Sequence, residues 1–250
     1  MTQEYTIWVE NKAYPVVVSD EREALLAAKA AGRVFVALYT ENPEQETLWE
    51  AEYLAAPEAI CPEYLERIVR RHIGLPWIIA ETDRLLIREF TLDDIPQMPE
   101  EPDTWYTEEE RTVDRVFYDK DKMESYIKSQ YRFYEYGIWA VVRKADGVIV
   151  GKAGVTNQEE SEHSKFERKT MSADESENKT MPPEESTEYL ELGYHIFHPY
   201  RCQGYAEEDC RAILNYTKEE LACPVCARVA KENTASIQLL EKLNVPYFLK

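Results

Sequence analysis

The chain has 250 residues, 44% of them hydrophobic, and this length and composition fit one large folded domain or two smaller ones. Its 48 acidic and 29 basic residues give a net charge of −19, which repels nucleic acid and either favours cationic partners such as amines or serves solubility alone. No apolar run approaches the roughly 18 residues that span a bilayer, and the N-terminal MTQEYTIWVENK lacks the pattern of a signal peptide, so we expect a soluble, cytoplasmic protein that does not bind membranes.

Residues 1–80 are predicted to form a small α/β domain. AYPVVV reads as a buried strand, and SDEREALLAAKAAG as a helix with Ser19 or Asp20 as its cap and Gly32 at its end. RVFVALY is a second strand, and CPEYLERIVRRHIG is a second helix that stops at Gly74. Because strands and helices alternate, we expect the strands to pair in parallel.

Asp20 and the AAKAAG helix weakly resemble part of a haloacid-dehalogenase-like Rossmann unit. The phosphatase chemistry of that family uses an upstream Asp-x-Asp strand, and the preceding MTQEYTIWVENK contains no such pair. The resemblance therefore implies a remnant without its nucleophile, and an interaction or packing role is preferred over a hydrolase.

Residues 81–250 are predicted to form a second domain. Leu85, Ile87 and Phe90 alternate with polar residues in a strand that leads into a short helix at Thr91. DKMESYIKSQYRFYEYG is helical, and IWAVVRKADGVIVGKAGVTN is a hairpin that turns at KADG. Residues 158–187 are rich in Glu, Ser and Lys with few large apolar residues, so we expect a disordered or mobile acidic insertion.

A glycine-containing turn follows the last long strand, YLELGYHIF. The turn RCQGYA leads directly into a helix, so free backbone N–H groups and the positive end of the helix dipole meet at one point. Such a corner binds phosphate without a basic side chain, with Gly204 allowing close approach and Ala206 too small to block it. Many strand–helix turns carry a glycine and bind nothing, and physics alone leaves both readings open.

Several segments together resemble the GNAT N-acetyltransferase superfamily, in the branch of the ribosomal-protein alanine acetyltransferases. RCQGYA resembles its acyl-CoA signature, ETDRLLIREFTLDD its opening strand and helix, GIWAVV…GVIVGKAGV its central hairpin, LELGYHIFHPY its fourth strand and ENTASIQLLEKL its last helix. The resemblance covers residues 82–243 in the order of the family. It implies an α/β (α+β) fold with a mixed, mostly antiparallel sheet behind the small parallel α/β subdomain.

The resemblance implies an acetyl-CoA-dependent N-acetyltransferase whose acceptor is a primary amine of a small molecule or a peptide N-terminus. Pantetheine would pair with the end of the fourth strand, while the next strand, from Val225, diverges to make room for it. A backbone N–H near Phe197 would stabilise the oxyanion, and Asn233 would reach the pantetheine, cap the last helix, or do both. The residues implied in binding acetyl-CoA are Ile196, Phe197, Arg201, Cys202, Gln203, Gly204, Tyr205, Ala206 and Asn233. Among them, the backbone amides of residues 203–206 would bind the diphosphate, and Arg201 and Cys202 would shape the turn.

The attacking amine must lose a proton, and Glu191 is the predicted base. Glu191 alternates with apolar neighbours on the strand and so faces away from them, although an ion-paired strand carboxylate fits the same pattern. His195 is a second candidate on the same face. The family often has a tyrosine acid where this chain has Leu240, and Ser236 would be a poor acid in its place.

Two further departures leave a second class of function open. Glu207 stands where a hydroxyl residue often meets the phosphate, and a carboxylate there repels the diphosphate unless it turns outward. The final LNVPYFLK stops before the closing strands of the family. The alternative is therefore a non-catalytic acyl-CoA-binding or interaction protein on a degenerate GNAT scaffold.

The five cysteines predict neither a disulfide framework nor a metal site. They are scattered and odd in number, and the CPVC run has no second pair to complete a zinc site. CPVC also leads directly into the apolar strand VCARVA, so we expect structural cysteines there.

Overall fold

The computed structural model describes residues 1–39, 51–102, 111, 114–157 and 189–249, and the predicted insertion at 158–187 lies outside them. The chain divides into two compact units. The first comprises Met1–Trp77 with Glu124–Glu135, and the second comprises Ile78–Met123 with Tyr136–Lys250.

In its described residues, the first unit contains a four-stranded sheet, two α-helices before residue 78 and the helical residues from Glu124 to Tyr134. In the sheet, β1 pairs antiparallel with β2, and β2, β3 and β4 pair in parallel. The elements in chain order are β1 (Thr2–Val9), β2 (Lys12–Ser19), α1 (Arg22–Ala30), β3 (Val34–Leu38), β4 (Leu54–Ala55) and α2 (Pro62–His72).

The strand β1 corrects the expectation of purely parallel pairing. It forms a hairpin with β2, turning at Glu10 and Asn11, whose φ angles of 48° and 63° are both left-handed. That conformation suits the two-residue turns that connect antiparallel strands. The sequence reading missed it because the turn contains no glycine.

The helices of the first unit end where the sequence predicts. Ser19 does not cap α1 directly, but its hydroxyl accepts a hydrogen bond from the amide of Glu21 at 2.9 Å. The Sγ atom of Cys61 accepts from the amide of Tyr64 at 3.4 Å and so caps α2, and Gly32 and Gly74 follow the two helices with positive φ. Asp20 pairs with the amino group of Met1, and the resemblance to a haloacid-dehalogenase-like unit stays a prediction.

The core of the first unit lies between its sheet and α2. Ile68 and Val69 of α2 are fully buried against inward-facing strand residues, and their burial provides the main hydrophobic stabilisation of this unit. The fully or almost fully buried residues of this cluster include Val9, Val16, Val18, Val36, Tyr53 and Leu65.

The second unit contains a seven-stranded mixed sheet in the order β11-β10-β9-β8-β7-β6-β5. From β5 to β9 neighbouring strands are antiparallel, and β9, β10 and β11 pair in parallel. This confirms the predicted mixed, mostly antiparallel sheet. The elements from residue 78 onward are β5 (Ile78–Glu81), β6 (Leu85–Arg88), α3 (Lys120–Tyr126), β7 (Ile138–Arg143), β8 (Val148–Asn157), β9 (Leu190–Ile196), α4 (Tyr205–Tyr216), β10 (Val225–Val229), α5 (Thr234–Leu243) and β11 (Tyr247–Leu249). The residues of α3 from Glu124 onward belong to the first unit.

Two predicted helices differ in detail from the structure. The segment after Thr91 is a 3₁₀ helix, Leu92–Gln97, whose Asp94 accepts from both terminal nitrogens of Arg88 at 2.8 Å. The segment after α3 continues as a π-helix over Ile127–Tyr134. Within the described residues, no helix has the length and apolar character needed to cross a bilayer.

Two glycines face each other across β8 and β9 and tolerate a side chain very differently. A Cβ atom on Gly154 would overlap the carbonyl oxygen of Gly137 and lie 2.8 Å from the Cα atom of Ile138. A Cβ atom on the opposing Gly193 would meet only the Cδ1 atom of Ile138, at an ordinary 3.5 Å. The sheet is therefore closely packed on the β7 side of Gly154.

We predict that Gly154→Ala destabilises the protein by about 2–3 kcal/mol, because backbone atoms cannot yield as a side chain can. Gly193→Ala is the matched control and should cost under about 1 kcal/mol. Urea unfolding of both variants, followed by far-UV circular dichroism, measures the difference. Equal midpoints for the two variants would contradict this packing.

Candidate functional site

The turn between β9 and α4 contains two residues in the left-handed region. After β9 a short 3₁₀ helix, His198–Tyr200, leads to Cys202 at φ 60° and Gly204 at φ 81°. Gly204 immediately precedes the first residue of α4. Left-handed backbone at these positions reverses the chain within a few residues and directs the start of the helix back toward the end of the strand.

The first turn of α4 presents backbone N–H groups to the turn. The amide of Glu208 donates to the carbonyl of Gly204 at 3.2 Å, which is the first hydrogen bond of the helix. The amides of Tyr205, Ala206 and Glu207 come before it and have no acceptor within the helix. These groups carry the positive end of the helix dipole. The corner can therefore bind an anionic group through backbone atoms.

Arg84, on the loop before β6, holds this corner in place. Its Nη1 atom donates to the carbonyl of Gln203 at 2.9 Å, and its guanidinium lies 4.7 Å from the ring centroid of Tyr205. Its Nε and Nη2 atoms contact Oε2 of Glu208 at 2.7 and 2.6 Å. Arg84 thereby ties the turn to the first turn of α4.

Glu208 completes this arrangement from the helix side. Its Oε1 atom accepts from the hydroxyl of Thr82 at 2.6 Å and from the amide of Arg84 at 3.1 Å. Burial acts to raise the pKa of Glu208, but the hydrogen bonds from Thr82 and Arg84 outweigh it and lower the pKa below its usual value. The sequence reading did not identify these partners, since 124 residues separate Arg84 from Glu208.

Glu207 is held by two cations. Its carboxylate contacts Nζ of Lys242 at 2.6 Å and Nη2 of Arg211 at 3.0 Å, and these bonds lower the pKa of Glu207. The repulsion that a carboxylate would exert on an anion is therefore offset locally. This resolves the difficulty that Glu207 raises in the sequence.

The strands β9 and β10 separate beside this corner. Their parallel register consists of two pairs, Leu190–Val225 and Glu191–Cys226, among the residues that the structure describes. The amide of Leu190 donates to the carbonyl of Pro224 at 2.9 Å, so every second residue of β9 directs its backbone groups toward β10. Beyond Glu191 this edge faces an opening, which is the predicted divergence of the strand that begins at Val225.

A pocket of about 590 Å³ occupies this opening. Its walls are the end of β9, the turn, the first turn of α4 and one side of α5, so it joins the free strand edge to the helix amides. Its lining residues include Tyr194, His195, Ile196, Tyr200, Arg201, Cys202, Gly204, Tyr205, Ala206, Glu207, Asn233, Ser236 and Leu239.

Most of the residues predicted for acetyl-CoA line this pocket, but Phe197 and Gln203 differ. Phe197 is fully buried, and its amide donates to the carbonyl of Val150 at 3.0 Å. That N–H group is therefore engaged within the sheet, and an oxyanion donor near Phe197 stays a prediction. Gln203 contributes its carbonyl to Arg84, as described above.

Arg201 and Asn233 both have structural contacts. Nε of Arg201 donates back to the carbonyl of Ile196 at 2.8 Å, which closes the turn, as its predicted shaping role requires. Oδ1 of Asn233 accepts from the amide of Ser236 at 3.1 Å and caps α5. The helix-cap role of Asn233 is thus present, and the residue also lines the pocket.

Glu191, the predicted base, forms an ion pair. Its Oε2 atom accepts from Nε of Arg228 on β10 at 2.7 Å, and both side chains are largely buried. Glu191 is at the last position where β9 pairs with β10, and Arg228 lies two residues beyond Cys226, the paired residue on β10. Glu191 therefore has a structural partner, the alternative that its sequence pattern left open.

His195 lies on the same face of β9 and belongs to a polar cluster. Its Nε2 atom is 2.7 Å from Oε2 of Glu101, whose other oxygen accepts from the amide of His198 at 2.7 Å. On the neighbouring strand, Lys152 pairs with Asp114 at 2.5 Å. Burial lowers the pKa of His195, partly offset by the hydrogen bond to Glu101, and burial also lowers the pKa of Lys152.

Tyr194 lies on the opposite face of β9, which faces α4 and α5. Its hydroxyl donates to the carbonyl of Ser236 at 3.4 Å, and both residues line the pocket. Burial raises the pKa of Tyr194 to about 12, so its hydroxyl is protonated at neutral pH. Leu240, where a family acid often stands, is buried in the core.

The described cysteines do not form a metal site. Cys61 and Cys202 are exposed, Cys210 and Cys226 are buried and Cys223 is half-buried. Across the described ranges, no group of three or more His, Cys, Asp or Glu residues could hold a metal ion. Of the two cysteines in the CPVC run, Cys223 is half-buried and Cys226 is buried.

Comparison with known proteins gives a family match over most of the second unit. The sequence profile of the family described as "Acetyltransferase (GNAT) domain" matches residues 84–245. Solved structures that are similar include a GnaT-family acetyltransferase from Bordetella pertussis, with 17% identity and a TM-score of 0.43 over 66% of this chain and 86% of the other. Another is the ribosomal-protein-S5-alanine acetyltransferase from Vibrio fischeri, with 12% identity and a TM-score of 0.42 over 68% and 81%.

Asp209, on the inner face of α4, has a carboxyl group in the core. The side chain is fully buried next to the thiol of Cys210, and burial raises its pKa to about 8. An unfolded chain ionises this carboxyl above about pH 4. Between about pH 4 and pH 8 the unfolded state therefore binds fewer protons at this residue, and stability decreases as the pH rises.

We predict that Asp209→Asn increases stability by an amount that grows with pH, by up to about 1.4 kcal/mol per pH unit between pH 5 and pH 8. The isosteric amide keeps the shape and cannot ionise. Urea unfolding at pH 5, 6, 7 and 8 measures the trend, and Asp93→Asn on an exposed site is the control. A stability difference that is constant over this range would show that Asp209 is not buried as a neutral acid.

Proposed function

Because the chain belongs to the GNAT acetyltransferase family, we propose that it transfers an acetyl group from acetyl-CoA to a primary amine. The acceptor is a small molecule or a protein N-terminus, and the amine attacks directly in a ternary complex. Acetyl-CoA is the acyl donor and supplies a thioester carbonyl to the acceptor nitrogen. Transfer then requires a proton acceptor for the amine and a proton donor for the departing sulfur.

One observation supports this proposal above the others: a pocket joins the open edge of β9 to the free amides of α4. A ligand that fits must combine an anionic group with an extended arm that bears amide groups. The diphosphate and the pantetheine of CoA have these properties in that order.

In this proposal the amides of Gln203, Gly204, Tyr205 and Ala206 bind the diphosphate, and Cys202 shapes the turn around it. Pantetheine pairs with the backbone of β9 from Ile196 inward. Asn233 caps α5 and borders the pantetheine. Arg201 and Phe197 contribute by fixing the end of β9, through the contacts with Ile196 and Val150.

Glu191 remains the proposed proton acceptor, with His195 as the second candidate. The ion pair with Arg228 orients the carboxylate of Glu191 but also occupies one of the oxygens that would accept the proton. The hydrogen bond to Glu101 orients the imidazole of His195, which is how a carboxylate supports a histidine base in other enzymes. Variants of each residue can separate these roles.

The net charge of −19 and the carboxylates beside the sheet favour a cationic amine as the acceptor. The segment after β6 that is expected to form the acceptor site, residues 99–118, lies partly outside the described residues. The identity of the amine is therefore left to a screen.

The competing proposal is a non-catalytic acyl-CoA-binding protein. Leu240 and the ion pair of Glu191 favour it, because each removes a group that could transfer a proton. The two proposals agree on CoA binding and differ in turnover.

We predict that the protein binds CoA and that Ala206→Asp raises the Kd by about 100-fold or more, because a new carboxylate faces the diphosphate. An aspartate in the first turn also favours the helix, so the fold should be retained. Asn215→Asp adds the same charge at the far end of α4 and is the control. Isothermal titration calorimetry with CoA measures both, and absence of binding by the unmodified protein would overturn both proposals.

For turnover, we predict that acetyl-CoA and a panel of alkyl monoamines, diamines and peptides with free N-termini release free thiol in an amine-dependent manner. Glu191→Gln should lower kcat by about 100-fold if Glu191 accepts the proton, while His195→Gln leaves it within about threefold. The reverse result would assign the proton to His195. Binding of CoA without any thiol release would favour the non-catalytic protein.

A further inference from the structure

We propose that the outer edge of β1 is a self-association surface, on which β1 of a second copy of this chain pairs in antiparallel orientation. The outer edge of β1 is the side of that strand that faces away from β2. This inference concerns the first unit and does not depend on the transfer reaction proposed above. The observations that carry it are the place of β1 in its sheet, the exposure of its residues and the fit of the strand to its own copy.

Among the strands that the structure describes, β1 is the longest one at the edge of a sheet. Its eight residues pair with β2 on one side, without a break in register. The other edge strands are shorter: β4 has two residues, β11 has three, and β5 has four with an irregular register between Ile78 and Ala80. Short length and bulges are two of the features that prevent an edge strand from pairing with another chain. The strand β1 has neither, and its sequence TQEYTIWV contains no Pro, Gly or Lys.

The hairpin turn determines which residues of β1 direct their backbone groups outward. Val9 and Lys12 flank the two-residue turn, so they form a hydrogen-bonded pair, and such pairs alternate along an antiparallel ladder. The hydroxyls of Thr2 and Ser19 lie 2.7 Å apart, which fits the intervening pairs, whose side chains are closest. The odd-numbered residues of β1 therefore bond to β2. The residues that direct both N–H and C=O to the outer edge are Thr2, Glu4, Thr6 and Trp8.

The side chains of these four outward-directed residues are exposed. Alternation places Tyr5, Ile7 and Val9 on the face that packs in the core with α2, so the four residues lie on the opposite face. Trp8 is 66% exposed there. Tryptophan is enriched at protein–protein interfaces because it supplies a large contact area.

The charge of this edge favours a second copy over a charged partner. Glu4 is the one charged residue of β1, in a chain of net charge −19. Its Oε1 atom accepts from Nη1 of Arg33 at 3.0 Å, so the carboxylate is paired within its own chain. Two such edges can approach without the repulsion that the rest of this acidic surface exerts. A strongly acidic or basic peptide would meet no complementary charge along the strand.

The register that pairs all the outward-directed groups also gives favourable side-chain neighbours. Antiparallel pairing about a twofold axis at Tyr5 places Thr2 opposite Trp8 of the second copy, and Glu4 opposite Thr6. The hydroxyl of Thr6 can then donate to the carboxylate of Glu4, and the two Tyr5 side chains meet on the axis as a cross-strand aromatic pair. A register centred on Glu4 would instead place the two carboxylates opposite each other. A register centred on Thr6 would leave Thr2 without a partner.

The first test measures self-association of the full chain by sedimentation velocity over a series of protein concentrations. We expect a reversible dimer with a micromolar Kd. Thr6→Pro removes the N–H group that donates to the carbonyl of Glu4 in the second copy, twice per dimer, and should raise the Kd about 10-fold or more. Proline is compatible with an edge strand when its position faces outward. Thr6→Val keeps the N–H group and the branched shape, and as the matched control it should stay within about threefold.

Hydrogen exchange of the unmodified protein gives a second measurement that needs no variant, and it decides the question if Thr6→Pro does not fold. Resolved residue by residue, the amides of the four outward-directed residues should become more protected as protein concentration rises. The intervening amides, which bond to β2, should be protected at every concentration.

Three results would overturn the proposal: a monomer at all concentrations, a dimer whose Kd a folded Thr6→Pro variant leaves unchanged, or exchange at the outer edge that does not depend on concentration. Capture of a different protein by an edge that does not self-associate would also overturn it. Failure to bind CoA or to acetylate an amine leaves these measurements unaffected, so the two proposals fail separately.

Discussion

The pocket beside β9 exists because β9 and β10 stop pairing after Glu191 and Cys226. A parallel pair that continued to the end of β9 would satisfy its backbone groups within the sheet and leave no room for an extended ligand. Glu191 lies at the last paired position, and its ion pair with Arg228, two residues beyond Cys226, links the two strands there. The opening begins beyond this contact, where the strands no longer pair.

The other end of the pocket depends on contacts between distant parts of the chain. Arg84 bonds to the turn at Gln203 and to Glu208 in α4, so the helix amides are fixed before any ligand arrives. Lys242 on α5 and Arg211 offset the charge of Glu207 at the point where an anion must approach. Backbone dipoles and paired carboxylates thus make this corner of an acidic protein suitable for an anion. It needs no basic patch.

The elements of the second unit could be predicted from the sequence because local signals specify them. Alternation of apolar and polar residues indicated the strands β6 and β9. The glycine of KADG, Gly147, indicated the turn of the β7–β8 hairpin and has a positive φ in the structure. Gly204 indicated the start of α4. The pairing of side chains could not be predicted in this way. The contact between Arg84 and Glu208 joins residues 124 positions apart, and neither residue differs from an ordinary surface charge in its local sequence. The same limit applied to Glu101 and His195, and to the β1–β2 hairpin, whose turn uses Glu10 and Asn11 in place of glycine.

The alternation of β9 also organises the proposed chemistry. Glu191 and His195 project from one face of the strand, toward Arg228 and Glu101, while Tyr194 projects from the other, toward Ser236 on α5. A thioester held along the edge of the strand would lie between these two faces. In the proposed reaction the acceptor amine would then lose its proton on the face of Glu191 and His195. The backbone of β9 separates the side chains of its two faces. This separation of Glu191 and His195 from Tyr194 therefore depends on the register of β9 with β8 more than on any single side chain.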